Sequence, residues 1–91
     1  MPDDLFVPRV RGDIQYRELE DGGVVYDTAA ERIHTLNATA AYVWNCCDGS
    51  RNLLDIASEL QRQLNAVPAD VLQDVRQIIA RLEQEGLLRS T

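Results

Sequence analysis

The sequence predicts an α+β domain, winged-helix-like, in which a three-stranded antiparallel β-meander is followed by three α-helices. That follows from where the hydrophobic period changes. Between Ile14 and Leu36, three short runs rich in β-branched and aromatic residues are separated by turn residues, and from Asn37 onward apolar positions recur every three or four residues. Short consecutive links set sequential strands side by side, and strands gathered ahead of helices keep the two segregated along the chain.

Each element has its own signal. Residues 1–13, with Pro2, Pro8 and mixed charge but no period, read as a flexible N-terminal arm that orders on docking, which leaves residues 14–89 as the domain. The strands are Ile14-Gln15-Tyr16-Arg17, Val24-Val25-Tyr26 and Arg32-Ile33-His34-Thr35-Leu36. Glu20-Asp21-Gly22-Gly23 has the chemistry of a tight hairpin, and Asp27-Thr28-Ala29-Ala30-Glu31 is a looser link. Asn37 is placed to cap helix 1, whose Ala40, Val43, Trp44 and Cys47 share a face before Asp48-Gly49 stops it. Asn52 caps helix 2, which turns Leu53, Ile56, Ala57, Leu60 and Leu64 inward and ends near Asn65. Pro68 suits the first turn of helix 3, and Gly86 ends it with Leu87 folding back onto Leu82.

A chain of 91 residues supports one core and leaves little room for a deep catalytic cleft. Its net charge of −6 opposes a nucleic-acid partner, since affinity for phosphates comes from Lys and Arg that neutralise them. The adjacent Cys46 and Cys47 read as reduced thiols, because a disulfide between neighbours departs from ordinary bridge geometry. No basic start with an apolar run marks a secretion signal, and nothing approaches the ~20 apolar residues of a membrane span, so a cytoplasmic monomer away from membranes is expected. His34 with the two cysteines lacks a fourth metal ligand, and as a Cys-His pair it lacks an orienting group and an oxyanion hole. No catalytic residue, metal site or cofactor is expected.

The succession Leu36-Asn37-Ala38-Thr39-Ala40-Ala41, Trp44, Asp48-Gly49, Leu54-Ile56-Ala57-Leu60, Val71-Val75-Ile79-Leu82 and Gly86-Leu87-Leu88 resembles the PqqD-like family, across roughly Ile14 to Leu88. The resemblance implies a precursor-peptide recognition element that binds and does not catalyse. It would hold the leader segment of a ribosomal precursor peptide against the third strand, beside the third helix, while a modifying enzyme of radical SAM type, or a lasso-type protease and cyclase, acts on the core segment.

The residues support a groove independently. In a meander the third strand lies at a sheet edge with unpaired backbone groups, a hazard unless they are covered or used. Arg32, Ile33, His34 and Thr35 form that edge. On helix 3 the stripe Val71, Val75, Ile78 and Leu82 faces the core, whereas Leu72 and Ile79 form a second stripe flanked by Arg76 and Glu83. The expected peptide site is therefore Arg32, Ile33, His34, Thr35, Leu72, Arg76, Ile79 and Glu83, working by strand addition. Two rivals use the same elements: a winged-helix DNA-binding regulator, and a domain that binds a folded protein partner. The first is disfavoured by Asp70, Asp74, Glu83 and Glu85 on the helix that would face phosphates.

Overall fold

The computed structural model describes residues 4–64 and 68–89. Strands β1 (Ile14–Leu19), β2 (Gly22–Asp27) and β3 (Arg32–Asn37) form one antiparallel sheet in the order β1-β2-β3. Helices α1 (Ala38–Cys46), α2 (Leu53–Leu64) and α3 (Pro68–Gln84) follow. This is the predicted meander and helix order. The winged-helix label fits only loosely, since all three strands precede the helices. The expected end of the second helix near Asn65 lies outside the described residues.

Side chains that alternate along a strand divide the sheet into two faces. Val25 and Leu36 are buried on the inner face, where they meet Val43 and Trp44 of α1, and α2 and α3 close the same core with Ile56, Leu60, Val75 and Leu82. Leu19 pairs with Gly22, so the hairpin turn is Glu20-Asp21. A Cβ on Gly22, which has φ +154°, would collide with the Leu36 carbonyl oxygen, so β2 passes β3 this closely only as glycine. Gly23 leaves room for the Tyr16 ring, which lies over it and stacks on Trp44 with centroids 6.2 Å apart. That stack joins the sheet to α1.

The caps are local and follow the sequence. Asn37 Oδ1 accepts the Ala40 N–H at 2.8 Å, which satisfies a donor that the first turn of α1 leaves open. Asn52 and Asp55 exchange bonds, Asp55 N–H to Asn52 Oδ1 at 2.8 Å and Asn52 N–H to the Asp55 carboxylate at 3.2 Å. At the end of α3, Gly86 has φ +73°, its N–H donates to Glu83 O, and the Leu87 N–H reaches back to Leu82 O at 2.9 Å. This double closure turns the chain so that Leu87 enters the core.

The N-terminal segment differs from the expected flexible arm. Pro8 is buried, Val10 N–H donates to Cys47 O, Arg11 N–H to Leu87 O and Gly49 N–H to Pro8 O, each at 3.0 to 3.1 Å. Asp4 accepts two bonds from the Arg76 guanidinium at 2.8 and 2.7 Å, and this pairing holds its carboxyl below the usual range. The segment is docked along the end of α1, the residues after α3 and α3 itself. Its partners lie too far away in sequence for any local period to reveal them.

One buried charge organises these contacts. Asp27, at the end of β2, is 2% exposed. Its Oδ2 accepts from Arg11 Nη1 at 3.1 Å and its Oδ1 from Ala30 N–H at 3.2 Å, while Arg11 Nη1 also donates to Gly86 O at 2.9 Å. Removing Arg11 alone strands a carboxylate in the core, which costs more than burying a neutral amide there. Arg11→Ala should therefore lower the urea midpoint, and adding Asp27→Asn should restore part of the loss. A double variant less stable than the single one in Trp44 fluorescence melts contradicts this. The Asp4 contact carries a separate pH signature. Because its folded pKa is lowered, its contribution is complete above the ordinary value of 3.8 and fades as the pH falls through the lower folded value. The NMR resonance of Leu54 N–H, which donates to Asp4 O, should shift only in that acid range.

Candidate peptide-docking groove

β3 pairs with β2 on one side, and on its other side no strand lies among the described residues. α3 runs alongside in the opposite direction. Near the start of β3, Arg32 Nη1 and His34 Nδ1 lie 3.6 and 3.8 Å from the Glu85 carboxylate, just past the end of α3. Near the end of β3, Asn37 and Thr39 line a cleft of about 250 Å³ with Asp74, Gln77 and Ile78. Five strand steps from Arg32 to Asn37 span about 17 Å, and eleven helical steps from Asp74 to Glu85 span nearly the same distance. Strand and helix are therefore matched in length. Side chains meet across the groove at the Glu85 end, and a cleft opens at the other.

The helix flank that faces β3 carries Asp74, Ile78 and Glu85, at spacings of four and seven. Ile78 is half-buried and gives an apolar side chain to the cleft near the end of β3. This corrects the stripes read from the sequence, because Ile79 is fully buried in the core and cannot line a wall. At about 100° per residue, Ile78 lies about 40° from the mean direction of Val71, Val75 and Leu82, and Ile79 about 60° to the other side. So small a difference does not separate them. Half-buried Leu72 lies beyond Ile79 and widens the apolar face in that direction.

The other expected site residues divide between places. Arg32 and His34 are at the groove. Ile33 and Thr35 belong to the same strand but are exposed on the outer face of the sheet, since Leu36 and His34 occupy the inner parity. Arg76 is bonded to Asp4, and Glu83 is exposed. With Leu72 these two lie on the flank turned away from Asp74 and Ile78, so they do not join the strand edge. Sequence reasoning missed Asp74, Gln77, Ile78 and Glu85 as groove residues. The parity of β3 and the adjacent Ile78-Ile79 pair were the available signals.

His34 Nε2 is buried without a hydrogen-bond partner. Cys46 and Cys47 are both buried, with the Cys47 thiol pushed up to about 12 by burial, so the pair packs as core and holds little thiolate at neutral pH. Among the described residues no group of three or more His, Cys, Asp or Glu side chains is arranged to hold a metal ion. A larger cleft of about 390 Å³ lies between the β1–β2 hairpin and α1, lined by residues such as Glu18, Leu19 and Tyr42.

An open strand edge with a helix laid antiparallel beside it is the geometry of peptide-recognition domains, in which backbone groups can bind and a side-chain wall can select. Residues 22–88 match the family model described as coenzyme PQQ synthesis protein D, and the chain belongs to the PqqD family. A protein of Xanthomonas oryzae pv. oryzae strain PXO99A named PqqA binding protein is 38% identical over 76 residues, covering 84% of this chain and 80% of that one. The PqqD truncation of Methylobacterium extorquens PqqCD is described as a stand-alone recognition element for ribosomally synthesised, post-translationally modified peptides. It matches with a TM-score of 0.83 and 26% identity, covering 99% of this chain and 96% of that one. Lasso peptide synthetase B1 complexed with a leader peptide shares the fold, with a TM-score of 0.80 at 21% identity over 93% of this chain and all of that one.

With Ile79 in the core, Ile79→Asp should unfold the domain as severely as Val75→Asp, each placing an unpaired carboxylate where burial costs about 2–7 kcal/mol for a polar group and more for a charge. Ile78→Asp should leave the melting temperature within a few degrees. Circular dichroism melts of the three variants check this, and an Ile79→Asp protein that melts like the parent refutes the corrected stripe.

Proposed function

We propose that this domain binds the leader segment of a ribosomal precursor peptide by adding it as a fourth strand to β3 beside α3, and presents it to a modifying enzyme of the same pathway. The observation that carries the reading is the open edge of β3 with α3 matched to its length and half-buried Ile78 in the cleft between them. The binding residues are then Arg32, His34 and the backbone of Ile33 to Thr35 on one wall, and Asp74, Ile78 and Glu85 on the other. The domain acts as a carrier and does no chemistry, in keeping with its family, whose members recognise peptides. Among the described residues no helix is long and apolar enough to cross a membrane. We place the protein in the cytoplasm, where precursor peptides are made. The PqqA binding proteins among its relatives make the leader of a PqqA-type precursor the first peptide to test.

Four to six added backbone bonds at about 1 kcal/mol each, with two or three buried side chains at about 1.5 to 3 kcal/mol each, stand against ordering and association costs of several kcal/mol. Micromolar to high-nanomolar affinity results, which suits a carrier that must release its peptide. Calorimetric titration of the synthetic leader in the presence of chelator should give such binding, and Ile78→Asp should weaken it at least tenfold. No binding tighter than ~1 mM would remove the proposal. Retention of duplex DNA at low salt would put the regulator reading in its place.

A further inference from the structure

The outer face of the sheet, which the groove does not use, carries three cross-strand rows; Leu19, Gly22 and Asn37 form the one beside the β1–β2 hairpin, and the other two change character toward β3. Residues directly opposite in an antiparallel pair point to the same side. The register sets Gln15 beside Tyr26 and Tyr26 beside Ile33 in one outer row, and Arg17 beside Val24 and Val24 beside Thr35 in the next. At the β1 edge both rows begin with polar or charged side chains. At the β3 edge they end with β-branched ones. Ile33 is 67% exposed and Tyr26 40% exposed, so the apolar end of the row lies at the open edge, beside the place where a fourth strand would lie. Ile33 is thus an exposed apolar side chain left on an open strand edge, where a further strand would cover it.

We propose that the leader is selected on both of its faces: the residue set across from Ile33 is a β-branched or aromatic one that continues the Tyr26–Ile33 row, while its chain neighbours turn into the groove toward Ile78 and the His34–Glu85 end. The inference rests on strand addition to β3. It adds a substrate class to that reading, a segment with apolar residues on alternating faces, one of them outward. Ile33 becomes a specificity-determining residue although it never faces the helix. The polar start of the row at Gln15 argues that the occupant is the next strand on the β3 side. A partner spread over the whole outer face would meet Gln15 and Arg17 as well.

The test uses the synthetic PqqA-type leader peptide, its single-alanine variants and three protein variants. Ile33→Asn should melt like the parent and bind the leader about five- to tenfold more weakly, from the lost cross-strand pair and the lost burial. Ile33→Thr, which keeps the branch, should lose about twofold. A double-mutant cycle should couple Ile33→Asn to one leader position, and Ile78→Asp to positions adjacent to it but not to that one. Unchanged leader affinity in Ile33→Asn, with Ile78→Asp still weakened, overturns the outer-face inference and leaves strand addition standing. Intact leader binding with lost association to the modifying enzyme overturns it also, and gives the face to the enzyme. If Ile78→Asp has no effect either, strand addition fails and takes this inference with it.

Discussion

A carboxylate buried at the end of β2 has to be paired, and much of the fold's long-range connectivity follows from how Asp27 meets that demand. A lone ion in the core would cost more than a small domain has to spare. Arg11 supplies the partner, and to do so the N-terminal segment must lie along the body of the domain. The same guanidinium takes the carbonyl of Gly86, and the other oxygen of Asp27 takes the amide of Ala30. One ion pair thus fixes the entry to the sheet, the β2–β3 link and the exit from α3. The ends of the groove inherit their positions from it, since β3 begins after that link and Glu85 precedes Gly86.

What the sequence makes legible is whatever depends on near neighbours. Asn37, Asn52 and Gly86 act on amides and carbonyls two to five residues away, so their roles can be read from the order of residues alone. The hairpin and the meander are equally local. The docked N-terminal segment is not legible, because Arg11 finds Asp27 16 residues away and Gly86 75 away, and no composition signal encodes such pairings. The wall of the groove falls between these cases. Ile78 and Ile79 are chemically alike and adjacent, and only packing against α2 and the N-terminal segment decides which of them turns inward. The parity of β3 was open to the sequence, since a buried Leu36 puts Ile33 on the far face, but treating the edge as one surface hid it.

Under the proposed strand addition, the groove joins two kinds of recognition that differ in what they read. Backbone bonding to β3 is indifferent to sequence, so affinity alone would accept any extended peptide. Selection has to come from side chains, and those of the two walls are sparse: a loose Arg32–Glu85–His34 contact at one end and, at the other, a cleft in which Ile78 is the apolar member. Such a surface distinguishes peptides by pattern more than by any single residue.

The pairing of Asp4 with Arg76 also bears on how the domain could be joined to something larger. Arg76 and Ile78 are two positions apart on α3, which sets them about 200° apart around the helix. Asp4 therefore sits on the side of α3 turned away from the groove. A catalytic unit tethered there would leave the peptide's path unobstructed, and it would hold its active site within a fixed radius of the bound leader. Modification would then proceed at the effective concentration set by the tether rather than by the cell, and the weak affinity of the groove would cease to limit the rate.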